Sequence, residues 1–127
     1  MNTKCKMTIA VFAGAVLGAA AIHALHAQGK PQAYIITEVE VADEAAFKEF
    51  APKVGVAVTA AGGKYLSRGG KIEVLEGAAP KRFVLSVFPS FEAAQASRNS
   101  PAWKETEALR TKAVKNSRAF IAEGLAN

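Results

Sequence analysis

The sequence predicts an α+β domain in which helices cover one face of a largely antiparallel sheet, assembled from two split β-α-β units. Three observations lead there. Stretches with period-two alternation and stretches with helical spacing follow one another as β, α, β(β), β, α(α), β. Each helical stretch opens on a residue suited to capping, namely Asp43, Ser90 and Ser100, while glycine pairs and prolines close the stretches between them. Finally, about 100 residues remain behind an N-terminal leader, which is room for one core.

The leader comes first. Lys4 and Lys6 form a short basic start, Met7 to Leu25 is apolar or small except for His23, and Ala27 offers a small residue for cleavage before Gln28. These are the parts of a secretory signal peptide over residues 1–27, which would place the mature protein in the periplasm or outside the cell. The run also approaches the roughly 20 residues that span a bilayer, so the alternative is an uncleaved, membrane-tethering leader. Cys5 precedes the apolar centre, and a lipoprotein attachment site is therefore not supported. Residues 28–32 read as a linker and 33–124 as the domain.

Composition excludes more than it suggests. The net charge of +5 falls to +3 once Lys4 and Lys6 are set aside, and the remaining charges alternate in sign without forming the basic stripe that nucleic acid requires. Cys5, His23 and His26 are the only cysteine and histidines and all lie in the leader. The mature domain thus has no thiol nucleophile, no imidazole base and no histidine ligand for haem, zinc or copper, and we expect neither metal nor cofactor. It also has no disulfide. Chemistry is left to Tyr34, Tyr65, Arg68, Arg82, Arg118, Trp103, the lysines and the carboxylates.

In chain order, Ala33 to Val41 alternates as a strand whose odd positions suit a helix-covered face. Asp43 caps a helix seated through Phe47, Phe50, Val54 and Val58, with Pro52 expected to bend or break it and Gly62-Gly63 to end it. Lys64 to Arg68 and Ile72 to Glu76 read as two short strands, with Gly69-Gly70 either a hairpin turn or a kink. Lys81 to Phe88 is apolar on both sides, which implies a central strand covered twice. Ser90 caps a helix to about Arg98. Ser100-Pro101 starts another with Trp103, Leu109, Ala113 and Val114 inward, which Asn116 ends before a last strand from Ser117 to Glu123. Such a sheet leaves one face bare, expected to carry Tyr34, Ile36, Val84, Phe88 and Phe120. That set is too apolar for water, and a two-fold homodimer closing two bare faces into a barrel would bury it.

Several stretches together resemble a known family: Ala33-Tyr34-Ile35-Ile36, Ala51-Pro52-Lys53, Tyr65-Leu66-Ser67-Arg68-Gly69-Gly70, Val74-Leu75-Glu76-Gly77, and Phe88-Pro89-Ser90-Phe91-Glu92 followed by Asn99-Ser100-Pro101. The resemblance is to the DUF1330 family, small domains of unknown function in the dimeric α/β-barrel superfamily. It implies a ferredoxin-like protomer that dimerises through its sheet. It implies no reaction, since relatives in the wider superfamily include cofactor-free monooxygenases, isomerase-like enzymes, haem-using enzymes and binding proteins.

For a site, the residues themselves point to a small carboxylated or carbonyl-bearing molecule lined by Tyr34, Tyr65, Arg68, Ser86, Phe88 and Trp103. Arg68 would grip a carboxylate or enolate by paired hydrogen bonds, Tyr65 would orient a carbonyl, and Glu73 or Glu38 would be the proton acceptor in a cofactor-free monooxygenase- or isomerase-like reaction. The competing expectation is a non-catalytic interaction dimer, with Arg68 paired to Glu73 or Glu76 across the turn and the aromatics serving as core.

Overall fold

The computed structural model describes residues 29–126, and the folded unit spans Pro31–Leu125. The predicted leader lies outside the described residues. The elements are β1 (Ala33–Val41), α1 (Glu44–Ala60), β2 (Lys64–Arg68), β3 (Arg82–Phe88), α2 (Phe91–Asn99), α3 (Pro101–Lys104), α4 (Glu107–Ala113) and β4 (Val114–Glu123). The four strands lie in the order β2-β3-β1-β4, and every neighbouring pair is antiparallel. With helices on one face only, this is the ferredoxin-like α+β arrangement that the element order predicts.

Local chemistry sets the helix starts. The side chains of Asp43, Ser90 and Ser100 accept from the backbone N–H groups of Ala46, Ala93 and Trp103 at 3.0, 3.1 and 3.2 Å. Pro52 does not break α1, which is continuous across it. An interior proline costs about 3 kcal/mol, whereas each buried side chain of Phe47, Phe50 and Val58 contributes roughly 1.5–3 kcal/mol, so the inner face outweighs the lost bond. At the far end Gly62 takes a positive φ of 79°. A side chain on Gly63 would meet the Phe88 ring at 2.5 Å, so that position is held open for the ring.

Three expectations need correction. Ile72 to Glu76 is not a strand: Gly69 turns away with a φ of 71°, and residues 69–81 form no helix or strand. Both edges of β3 are taken by β2 and β1, and the turn at Gly69 carries the segment off without pairing it to the free outer edge of β2. Gly69-Gly70 is accordingly neither a hairpin turn nor a kink inside a strand. The helix predicted after Ser100 is divided in two, because the Thr106 hydroxyl donates to the Trp103 carbonyl at 2.7 Å and takes the place of a helical bond. The last strand also starts earlier, at Val114, so that Val114 and Asn116 belong to β4.

The register assigns the faces. Ala33, Ile35, Thr37 and Val39 of β1 stand opposite Phe88, Ser86, Val84 and Arg82 of β3, on the side the helices cover. Val84 and Phe88 are therefore not on the bare face, contrary to expectation. That face carries Tyr34 beside Val87, Ile36 between Leu85 and Phe120, and Glu38 between Phe83 and Arg118. Alternation alone could not orient β3, since both of its sides are apolar. Under the helices the core forms two clusters, one around Ala33, Ile35, Val58, Phe88 and Ala94 and the other around Val39, Phe47, Phe50 and Ala113. Among the described residues no helix is long and apolar enough to cross a membrane.

Candidate functional site

Between Ile35 and Val39, one from each core cluster, β1 presents Thr37, and over it the helices stand off the sheet to leave a cavity of about 660 Å³. Its floor is read directly from the register. Arg68, Val84, Thr37 and Ala119 form one row across the sheet, and Tyr65, Ser86 and Ile35 form the next. Phe50 and Val54 of α1, Arg98 of α2, Trp103 of α3 and Arg110 of α4 complete the lining.

One irregularity aims Arg68. It lies three positions after Tyr65, so strict alternation would point the two side chains to opposite faces. The register of β2 against β3 shifts between Tyr65 and Ser67, so Tyr65 stands opposite Ser86 while Arg68 stands opposite Val84, two residues away. The bulge thus brings both onto the cavity side. The Arg68 guanidinium lies 4.5 Å from the centre of the Tyr65 ring.

The other cations are positioned as deliberately. The Arg98 guanidinium lies over Trp103, 3.9 Å from the ring centre, and its Nη2 donates to Thr37 Oγ1 at 3.4 Å. Arg110 Nη2 donates to Ser117 Oγ at 3.0 Å. Arg82, at the rim, covers the Phe47 ring at 4.4 Å and pairs with Glu44 at 3.7 Å. Among the described residues no Asp or Glu lines the cavity, and Arg68, Arg98 and Arg110 have no ion-pair partner. Burial, then the nearby Arg110 charge, makes the Arg98 guanidinium less basic than usual. Burial likewise raises the Tyr65 phenol above its ordinary 10.0, against the opposing pull of Arg68 and Arg98. The phenol is a neutral hydroxyl at physiological pH.

Of the residues singled out from sequence, Tyr65, Arg68, Ser86 and Trp103 line the cavity. Phe88 does not: its ring is 1% exposed and belongs to the core. Tyr34 faces the other side of the sheet with Glu38, while Glu73 lies exposed in the irregular 69–81 segment. No ion pair joins Arg68 to Glu73 or Glu76 among the described residues. Arg118 lies on the uncovered face, 5.5 Å from the Phe120 ring centre.

Sequence reasoning missed Arg98 and Arg110. A signal existed: Arg98 follows Ala94 by four residues, and Arg110 lies four after Thr106 and three before Ala113, spacings that place each on the inner stripe of its helix. Chemically, the site can hold an anion by paired guanidinium bonds and offer hydroxyls to a carbonyl. Tyr65 is the sole proton-transferring group in its lining that is not a cation.

The sequence matches the family described as "Domain of unknown function (DUF1330)" over residues 32–125. Among solved structures, a protein of unknown function from Rhodopseudomonas palustris is similar with a TM-score of 0.62 at 19% identity, covering 77% of this chain and 85% of that one. SnoaB, a cofactor-independent oxygenase from Streptomyces nogalater, is similar with a TM-score of 0.53 at 10% identity, covering 76% and 96%. A conserved protein from Methanosarcina mazei gives 0.50 at 15% identity, covering 77% and 97%. At these identities the likeness concerns the fold alone. No curated protein matches the sequence significantly.

Proposed function

The chain belongs to the DUF1330 family, and from that premise we propose that it binds a small organic anion, a carboxylate or an enolised carbonyl compound, in the cavity between helices and sheet. The observation that carries this reading is the meeting of Arg68, Arg98 and Arg110, from three separate elements, at a cavity that no carboxylate among the described residues lines. Arg68 is exposed, but Arg98 is drawn partly out of water without a counter-ion, which is costly, and a bound carboxylate supplies one through charge-assisted, two-pronged bonds. The volume of about 660 Å³ suits a ligand of one or two rings. Tyr65 and Ser86 offer hydroxyls to its neutral oxygens. The test is thermal stabilisation by carboxylated aromatic and lactone ligands: the unfolding midpoint rises with ligand concentration, and Arg68→Ala loses the rise. Equal shifts in both proteins would remove Arg68 from the site.

A fold shared with a cofactor-independent oxygenase supports a second, catalytic reading. In it the arginines stabilise a developing enolate and Tyr65 moves the proton, because Glu73 and Glu38 lie away from the cavity. Turnover of a bound carbonyl compound that Tyr65→Phe abolishes, with binding retained, would select it.

The assembly belongs to the same proposal. Ile36, Leu85 and Phe120 stand side by side on the uncovered face, with Phe120 45% exposed, and a second copy laid face to face would bury them in a barrel. Export as a mature chain starting at Gln28 is the matching proposal for location, resting on the composition of the leader and checked by the mass of the protein recovered from the periplasm. A dimer that no small anion stabilises would leave an interaction role in place of ligand binding.

A further inference from the structure

Three arginines of the cavity divide into two poles, and their separation narrows the ligand; of the other cations in the lining, Arg82 is paired with Glu44 at the rim and Lys48 is exposed to solvent. One pole is Arg68, standing on β2 beside Tyr65. The other is the pair Arg98 and Arg110, fixed by hydrogen bonds to Thr37 on β1 and Ser117 on β4. In the order β2-β3-β1-β4, Arg68 and Thr37 belong to one row two strands apart, which at ~4.8 Å per strand is roughly 10 Å at the backbone, and Ser117 lies a strand further. Apolar groups occupy the interval: Val84 on the floor, with Val54 and Trp103 in the helical lining.

We propose that the cavity takes a dianion: a small molecule with a flat apolar body and an anionic group at each end, one held by Arg68 and the other shared by Arg98 and Arg110. This deepens the organic-anion reading and rests on it. A monoanion satisfies one pole and leaves the other without a counter-ion while displacing the water that had screened it. A second carboxylate removes that cost. The second pole has the greater need, because Arg98 and Arg110 are close enough for the charge of one to weaken the hold of the other on its proton. The aromatic rings beside the guanidinium groups, Tyr65 by Arg68 at 4.5 Å and Trp103 by Arg98 at 3.9 Å, hold each fork in place, and each guanidinium has more N–H groups than its present partners use to meet a planar carboxylate.

The experiment titrates benzoate, isophthalate and terephthalate into the purified protein by calorimetry at constant ionic strength. At least one dicarboxylate is expected to bind about tenfold or more tighter than benzoate. Arg68→Gln and Arg98→Gln should each shrink that preference to roughly threefold or less, each variant retaining benzoate at its surviving pole; Arg98→Lys, which keeps the charge but loses the fork, should fall between. Benzoate binding as tightly as both dicarboxylates would overturn the dianion while leaving the organic-anion reading intact. Failure of all three to bind would overturn both.

Discussion

On the face of the sheet that the helices cover, Arg68, Arg98 and Arg110 surround a cavity with hydroxyls at its floor. On the face that they leave uncovered, Ile36 stands between Leu85 and Phe120. A one-sided sheet ordinarily shows the reverse, with apolar groups inward and polar groups toward water. The covered face can keep its charges because two dry clusters on either side of Thr37 hold the helices in place. The uncovered face has no such division of labour, and its apolar row calls for a partner surface.

The largest effect that tests this contrast is expected at the dry end of the covered face. Phe88→Ala removes a ring that is 1% exposed and abuts the open space at Gly63, and should cost about 3–5 kcal/mol in a denaturant titration. A loss below about 1 kcal/mol would mean that the helices are held by something other than these clusters. Ile36→Asp probes the other face. In a face-to-face dimer it places a carboxylate against an apolar surface and should turn dimer into monomer by light scattering, with a loss of about 2 kcal/mol or more. In a protein that is monomeric throughout, the same change should alter stability by no more than about 0.5 kcal/mol, and the two faces would then differ in chemistry but not in role.

The smallest effect sharpens the account of the cavity itself. The protein has two tyrosines, so Tyr34→Phe leaves Tyr65 as the only phenol for an absorbance titration. Burial disfavours the phenolate, and the titration midpoint should lie above 10.0. Arg68 pulls in the opposite direction by favouring the anion, so adding Arg68→Ala should move the midpoint further up. A downward move would place Arg68 away from the phenol.

How much of this was legible in the sequence depends on the range of the physics involved. The bounds of β1 and the caps at Asp43, Ser90 and Ser100 follow from residues within a turn of one another, and the structure reproduces them. The strand proposed for Ile72 to Glu76 had the right alternation, but the chain turns away at Gly69 and leaves the free outer edge of β2 unpaired, and alternation does not carry that information. The faces of β3 were ambiguous because Val84 and Leu85 are equally apolar, and only pairing with Thr37 and Ile36 distinguishes them. In the site, Tyr65, Arg68, Ser86 and Trp103 stood out as chemistry-bearing residues in or near predicted elements. Arg98 and Arg110 did not, because an arginine on a helix is usually a solvent group. Their spacing from Ala94, Thr106 and Ala113 is a signal in the sequence, but it becomes decisive once those residues are known to be fully buried.

The bulge in β2 has a consequence beyond the aim of one side chain. β2 is a rim strand of five residues, and a rim strand offers unpaired backbone groups on which another chain can extend a sheet. An interrupted ladder with Lys64 and Arg68 at its ends makes a poor template for that growth, because an incoming strand would have to match the irregularity and meet positive charge at both ends. The feature that equips the cavity therefore also blocks fibre-like stacking along that margin. Deletion of Leu66 would straighten the strand and leave Tyr65 and Arg68 two positions apart, so both should stay on the cavity side while the protein becomes more prone to edge-to-edge association.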